Sequence, residues 1–265
     1  MTTAPTPGEK KIGSTRARVS PEEWEVRVNL AACYRLMYLF GMTEMIANHI
    51  SARVPGTTDR FLINPYGMFY EEITASCLIE IDVDGNVIHN PTDYSINQAG
   101  FVIHSAIHRH AHHLDCVMHT HTIAGMAVSA LECGLLPLAQ TSMRFGEIAY
   151  HDYEGIAINL DEQARLVRDL GDHEAMILRN HGLLTVGESI QEAFNTMFRL
   201  ERACQVQIAA LSCGKSIVMP PDHLVEETYK MFHPKLRPAH RRPPGMLEWP
   251  GLLRKLDRID PSYRD

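Results

Sequence analysis

The stretch DCVMHTHTIAGMAVSALEC, residues 115–133, joins a short apolar run to a helical pattern, with two histidines at the junction. Alternate residues of a β-strand face the same side of a sheet, so His119 and His121 would project together. The residues from Thr122 to Cys133 have the spacing of a helix. Two imidazoles on one face at the end of a strand are able to share one metal ion.

A third histidine, His181, lies in a similar setting. It belongs to AMILRNHGLL, residues 175–184, where an apolar strand meets a glycine and a second apolar segment. Three neutral imidazoles from the ends of two adjacent strands would hold a divalent ion and leave a position open to substrate. The chain has 15 histidines, so edge histidines bonded to backbone remain the alternative. His104 and His108, four residues apart on a predicted helix, form a second candidate pair.

Composition narrows the class of protein. A chain of 265 residues, of which 45% are hydrophobic, is large enough to bury a substantial core. The net charge is −7 and no basic face stands out, so nucleic acid is not an expected partner. Six irregularly spaced cysteines predict neither disulfides nor a thiolate zinc site. The lack of a signal core and of a long apolar run predicts a cytoplasmic protein that does not bind membranes.

Local signals predict the order of helices and strands. Ser20, Pro21 and Glu23 form a capping pattern that opens a helix to about Ala47. Short apolar runs separated by turn residues then predict an antiparallel meander: HISARV, RFLINP, LIEIDV and NVIHNP. Helices are predicted at 94–112, 122–133, 160–170 and 188–213, and strands at 115–121, 135–143, 147–153 and 174–180.

These elements predict the α/β class, as a single layered domain with a largely antiparallel central sheet over residues 21–232. Residues 1–20 are rich in Thr, Pro, Gly and Lys and predict a flexible tail. Residues 233–265 predict an extended Pro/Arg-rich arm that ends in a short amphipathic helix. Such an arm would pack on a neighbouring subunit or on its own domain.

Residues 22–215 resemble the class II aldolase/adducin family. VMHTHT is similar to its two-histidine motif and LRNHGLL to the segment that carries its third ligand. Longer runs resemble the adducin-like branch: FLINPYGMFYEEITAS, INQAGFVIHSAIH, CGLLPL, EIAYHDYEG and ILRNHGLLTVGESIQEAF. The resemblance implies an α/β/α domain, usually a homotetramer with the metal near a subunit boundary. It also implies His119, His121 and His181 as ligands of one divalent ion per chain, most often zinc, with manganese or iron as alternatives.

The sequence departs from the aldolase pattern at two positions. Gly100 stands where aldolases of this family carry their acid/base glutamate, and Thr141 where they carry a proton-donating tyrosine. The residues that cradle phosphate in those enzymes correspond to NHIS, NPYG and NQAG. The bulk of His49 and Tyr66 favours an unphosphorylated acid as the small-molecule substrate. The candidate substrate-binding residues are His49, Asn64, Tyr66, Gly67 and Gln98, although Tyr66 and Gln98 would equally serve to pack a turn.

Two functions remain open at this stage. The first is a metal-dependent carbon–carbon lyase that acts on a small oxo- or hydroxy-acid by retro-aldol cleavage or decarboxylation. Decarboxylation needs a proton donor but no base for a hydroxyl proton, so it tolerates Gly100 better. His104 and Tyr150, together with His49, are the candidate donors. The second function is a non-catalytic binding or scaffold module like the head domain of the adducins.

Overall fold

The computed structural model describes residues 15–156, 160–233, 235–238 and 242–265. Eight strands of these ranges form one sheet, in the order β4-β3-β2-β1-β5-β8-β7-β6. All neighbouring strands are antiparallel except β6 and β7. The predicted α/β class with a largely antiparallel sheet is therefore confirmed. The strands are β1 His49–Arg53, β2 Arg60–Ile63, β3 Ile79–Asp82, β4 Val87–His89, β5 Cys116–Thr120, β6 Ala149–His151, β7 Ala175–Leu178 and β8 Gly182–Gly187.

Eight α-helices accompany the sheet in the described ranges. None of them has both the length and the apolar character that crossing a membrane would require. The helices are α1 Pro21–Leu39, α2 Gln98–His110, α3 Ile123–Ser129, α4 Gln140–Met143, α5 Glu162–Leu170, α6 Ile190–Ser212, α7 Asp222–Phe232 and α8 Trp249–Ile259.

Helices cover both faces of the sheet, which gives three layers. On one face, here the α2 face, Val117 and Met176 pack with residues of α2 and α5. On the opposite face, here the α6 face, their neighbours Met118 and Ile177 pack with residues of α1, α3 and α6. Consecutive residues of each strand alternate between the two layers, as the pleat requires. Both faces carry apolar side chains because helices cover both.

The first helix begins as predicted but ends earlier. The Oγ of Ser20 accepts a hydrogen bond from the backbone N–H of Glu23 at 3.1 Å, which caps the helix. The helix stops at Leu39, and Gly41 has a left-handed φ of +68° that terminates it. The prediction of a helix to about Ala47 was therefore wrong. The residues that follow Gly41 form a loop that leads into β1.

Two other segments differ from prediction. Residues 135–143 are not a strand: their second half forms α4, and the side chain of Gln207 on α6 bonds the backbone at the start of the segment. Its Oε1 accepts from Leu136 N–H at 2.6 Å and its Nε2 donates to Gly134 O at 2.7 Å. Helix α2 begins at Gln98 rather than near Tyr94, since the Asn97 side chain accepts from the backbone of the first helical turn. Helix α7 was not predicted.

The two ends of the described chain pack on the domain. Residues 1–14 of the predicted flexible tail lie outside the described residues, but Thr15 is buried and its Oγ1 donates to Ser76 O at 3.1 Å. At the other end α8 lies against α1, and Trp249 Nε1 donates to Asn29 Oδ1 at 2.7 Å. The buried Tyr263 accepts at its carbonyl from the backbone of residue 75. Of the two positions predicted for the arm, residues 249–265 take the one on their own domain.

Candidate metal centre

The pairing of β5 with β8 brings the three predicted histidines together. Thr120 at the end of β5 lies opposite Leu183 near the start of β8. His121 directly follows β5, and His181 directly precedes β8 in the turn that leaves β7. His119 lies on β5 itself and faces the α2 layer, in phase with Val117. Antiparallel pairing thus places all three imidazoles at one edge of two neighbouring strands.

The Nε2 atoms of these three histidines, here the triad, converge. The distance is 2.7 Å between His119 and His121, 3.0 Å between His121 and His181, and 3.2 Å between His119 and His181. One potential ligand atom from each of the three residues lies within 4.8 Å of the other two, as a shared metal ion requires. Three convergent imidazole nitrogens form an open donor set of the kind found in catalytic zinc sites.

Hydrogen bonds to the other ring nitrogens fix which nitrogens face inward. Nδ1 of His119 lies 3.0 Å from Leu183 O, and a carbonyl only accepts, so Nδ1 carries the proton of the neutral ring. Nδ1 of His121 lies 2.6 Å from Glu44 Oε2 and donates to that carboxylate. The neutral rings of His119 and His121 therefore present lone pairs at Nε2, which repel at their separation of 2.7 Å unless a cation lies between them. One proton cannot satisfy three nitrogens, whereas a divalent ion can, so the residues fit a metal.

Burial keeps two members of the triad, His119 and His181, in the form that binds metal. Desolvation, with smaller effects from neighbouring imidazoles, lowers the pKa of His119 well below its ordinary value. Burial and the proximity of His121 lower the pKa of His181 to about 4, although Glu44 acts in the opposite direction. Both rings are neutral near pH 7 by this argument, and metal ligation requires the neutral imidazole.

Glu44 is a candidate functional residue that the sequence reasoning missed. Its carboxylate orients His121, as carboxylates commonly do for metal-ligating histidines. Its backbone N–H donates to Oδ1 of the buried Asn48 at 2.7 Å, which shapes the loop between α1 and β1. This loop was not predicted, because the first helix was predicted to continue to about Ala47. The loop that carries Glu44 leads into β1, and β1 pairs with β5 so that His49 lies opposite His119. Predicting this pairing would have placed Glu44 near the triad.

A second group of buried histidines lies beside the triad on the α2 face. His49 and His119 have ring centroids 5.0 Å apart, and His49 Nδ1 is 2.8 Å from His104 Nε2. The hydroxyl of Ser51 contacts both His104 Nδ1 and His108 Nε2. His104 and His108, the alternative metal pair, thus share a hydroxyl. His49 connects this group to the triad.

The space beside Gly100 is filled by the side chain of His49. A Cβ added to Gly100 would lie 2.8 Å from both Cγ and Cδ2 of His49. The imidazole of His49 therefore occupies the space into which a side chain at position 100 would project. The lack of a carboxylate at position 100 and the presence of the bulky His49 are therefore linked, because the two side chains would occupy the same space.

The predicted substrate-binding residues fall into two groups. Asn64 is buried and its Oδ1 accepts from Tyr34 OH at 2.9 Å, which is a structural contact. Tyr66 is 41% exposed and pairs with Ser95 through the backbone, and Gly67 has a φ of +131°. Gln98 is exposed at the first residue of α2. For Tyr66, Gly67 and Gln98 a role in substrate binding stays a prediction.

Tyr150 and Thr141 lie elsewhere. Tyr150 packs with the core of the α6 face, opposite to the side of His119, and its hydroxyl accepts from Leu135 N–H at 3.0 Å. Arg179 lies over its ring, 4.2 Å from the centroid. These contacts give Tyr150 a packing role within one chain and do not support the predicted role as proton donor. Thr141 on α4 lines a separate cavity.

The sequence and structure of this chain are similar to those of known proteins. The solved structure of an aldolase II superfamily protein from Pseudomonas syringae has a TM-score of 0.88 at 50% identity, covering 94% of this chain and 99% of that one. The L-fuculose 1-phosphate aldolase of Glaciozyma antarctica PI12 has a TM-score of 0.80 at 27% identity, covering 92% and 93%. Alpha-adducin of Rattus norvegicus is 40% identical over an alignment that covers 98% of this chain but 36% of that protein. Residues 28–208 match the family described as Class II Aldolase and Adducin N-terminal domain, so the chain belongs to the class II aldolase/adducin family.

Proposed function

We propose that the protein is a divalent-metal-dependent carbon–carbon lyase that acts on a small, unphosphorylated oxo- or hydroxy-acid. The observation that carries this proposal is the convergence of the three Nε2 atoms of the triad, with the outer nitrogens of His119 and His121 held by Leu183 O and Glu44. The three-imidazole donor set suits zinc, with manganese or iron(II) as alternatives. Such an ion supplies Lewis-acid chemistry by polarising an oxygen of the substrate.

The chain's own residues favour decarboxylation over retro-aldol cleavage. Retro-aldol cleavage begins with removal of a hydroxyl proton, and His49 fills the space where a carboxylate base at position 100 would project. In decarboxylation the bond to the carboxylate carbon breaks, carbon dioxide leaves and the remaining carbon takes up a proton. We assign delivery of that proton to the Nε2–H of His49, whose Nδ1 accepts a replacement proton from His104 Nε2, 2.8 Å away. Tyr66, Gly67 and Gln98 are proposed to bind the rest of the substrate.

We also propose that the chain forms a homo-oligomer, as a tetramer. Apolar side chains are exposed directly beside the site in the single chain. Met45 next to Glu44 is 73% exposed, and Ile123 two residues after His121 is 85% exposed. A second copy that covers these side chains would remove apolar surface from water and enclose the site.

The test is metal content. The purified protein is expected to hold close to one divalent ion per chain, and the His121→Ala/His181→Ala variant is expected to lose it, since two of three ligands are gone. Glu44→Gln should keep the fold but lower metal affinity by about 10- to 100-fold, because the orienting carboxylate is removed. The exposed His223→Ala serves as the matched control. Elemental analysis after dialysis measures all four proteins, and equal retention of metal by the double variant would place the site elsewhere.

The similarity to alpha-adducin supports a second candidate, a binding or scaffold module. The two are separated by incubating metal-loaded protein with a panel of oxo- and hydroxy-acids, with and without phosphate groups, and measuring carbon dioxide and carbonyl products. Turnover of an unphosphorylated acid that is lost with the double histidine variant supports the lyase. Full metal occupancy without turnover of any acid in the panel favours the scaffold.

A further inference from the structure

A second cavity, here the arginine cavity, lies between α4, α6, the end of α7, Arg237 and residues 242–248. Its volume is about 440 Å³, within the range of small-molecule sites. Four arginines line it, Arg144, Arg199, Arg237 and Arg242, whereas Glu248 is the acidic residue of its wall. Guanidinium groups stay charged in proteins, so this cavity is electropositive on a chain whose net charge is −7.

The innermost of these arginines has hydrogen bonds left to make. The Arg144 side chain is 4% exposed. Its Nη1 donates to Asn195 Oδ1 at 3.1 Å, and its Nη2 lies 3.5 Å from Glu174 Oε1 in an ion pair. Its Nε and Nη2 nevertheless have no hydrogen-bond partner among the described residues. Buried donors without acceptors are unfavourable, and an oxyanion in the cavity would supply the acceptors.

The other described arginines of the cavity lack a close carboxylate partner. Within the described residues, Arg199, Arg237 and Arg242 form no ion pair with a carboxylate within 4.0 Å. Holding like charges around one cavity is unfavourable unless an anion offsets their repulsion. A bound anion would also bring together elements distant in sequence, since Arg199 belongs to α6 and Arg242 to the C-terminal segment.

The remaining wall suggests an organic ligand. Gln140, Thr141 and Asn195 offer amide and hydroxyl groups, and Phe232 offers an apolar surface against which Arg144 lies at 5.2 Å from the ring centroid. We propose that the arginine cavity binds a small organic oxyanion, whose carboxylate or phosphate group is held by Arg144, Arg199 and Arg242 while its remainder packs on Phe232. Planar guanidinium groups match both kinds of oxyanion with paired hydrogen bonds. The site shares no residue with the triad.

Calorimetric titration of the full chain at low salt tests the proposal, with inorganic phosphate and citrate as separate probes. At least one probe should bind the wild type. Arg199→Gln/Arg242→Gln, which changes two exposed side chains, should weaken that binding by about tenfold or more, because charged hydrogen bonds are lost. Arg202→Gln/Arg258→Gln, which changes exposed arginines outside the cavity, should leave it within about twofold. The probe that binds more tightly shows whether the cavity prefers a phosphate or a carboxylate group.

Because these anions could also bind a metal at the triad, the titration is repeated with His121→Ala/His181→Ala. Binding should persist in that variant. Arg144→Lys, with circular dichroism as a check on folding, should weaken binding since the ammonium cannot reproduce the fork of guanidinium donors. Absence of binding by both probes, unchanged binding in the Arg199/Arg242 variant, or loss of binding with the histidine substitutions would each overturn the proposal.

Discussion

At the scale of single residues, Gly100 and His49 form a complementary pair. The ring of His49 lies on β1 directly across from the α2 backbone at Gly100, and a Cβ at that position would meet two of its atoms at 2.8 Å. Because the ring is buried and also bonded to His104, it has no free space into which to rotate. The identity of residue 49 therefore constrains residue 100, and through it the acid/base chemistry next to the triad.

The substitution Gly100→Ala is expected to destabilise the protein by about 1–3 kcal/mol, although alanine is the better helix former by about 1 kcal/mol. The reason is the contact of the new Cβ with His49. His49→Ala opens the space, so the second substitution should cost less in the Gly100→Ala background than in the wild type. Urea unfolding of the four proteins measures this coupling. Strictly additive free energies would show that the ring and the glycine do not interact.

At the scale of elements, the C-terminal helix α8 is part of the main core. Leu256 is 4% exposed and belongs to the cluster that includes Trp249 and residues of α1. Leu256→Ala should lower the free energy of unfolding by about 2–5 kcal/mol because a cavity remains. Leu247→Ala, at a side chain that is 68% exposed, should change it by less than about 0.5 kcal/mol. Equal effects of the two substitutions on urea unfolding would mean that α8 is not packed in solution.

Local sequence signals predicted the elements that are specified locally. The meander of β1 to β4, the cap at Ser20 and the end of α6 at Gly214 depend on turn residues and caps within a few positions. Elements held by distant residues were missed. The backbone at Gly134 and Leu136, where the strand 135–143 was predicted to begin, is held by Gln207, about 70 positions along the chain. The same distinction applies to the site: the triad lies at strand ends, whereas Glu44 reaches His121 from a loop whose position depends on sheet pairing.

At the scale of the whole molecule, the layer between the sheet and α2 contains several buried histidines. His104 and His108 are completely buried and share the hydroxyl of Ser51. Burial lowers the pKa of both well below the ordinary value, with smaller contributions from His108 on His104 and from Arg53 on His108. The folded chain therefore keeps uncharged rings that the unfolded chain would protonate in mild acid.

This difference predicts how stability depends on pH. The pKa of each group is lower in the folded state than its unfolded value of 6.5, so the unfolded state binds more protons below that pH. Stability is full above about pH 6.5 and falls as the pH decreases toward the folded pKa values, by up to about 1.4 kcal/mol per pH unit for each histidine. Urea unfolding of metal-free protein between about pH 7.5 and 5 measures the slope.

The variant His108→Gln isolates one of these groups. Its free energy of unfolding should fall less steeply with acid than that of the wild type, by the contribution of one proton, whatever its stability at neutral pH. The exposed His223→Gln is the matched control and should keep the wild-type slope. Parallel curves for His108→Gln and the wild type would mean that His108 is already protonated when folded. A charged ring stacked 4.7 Å from Phe61 and near Arg53 is the arrangement that burial disfavours.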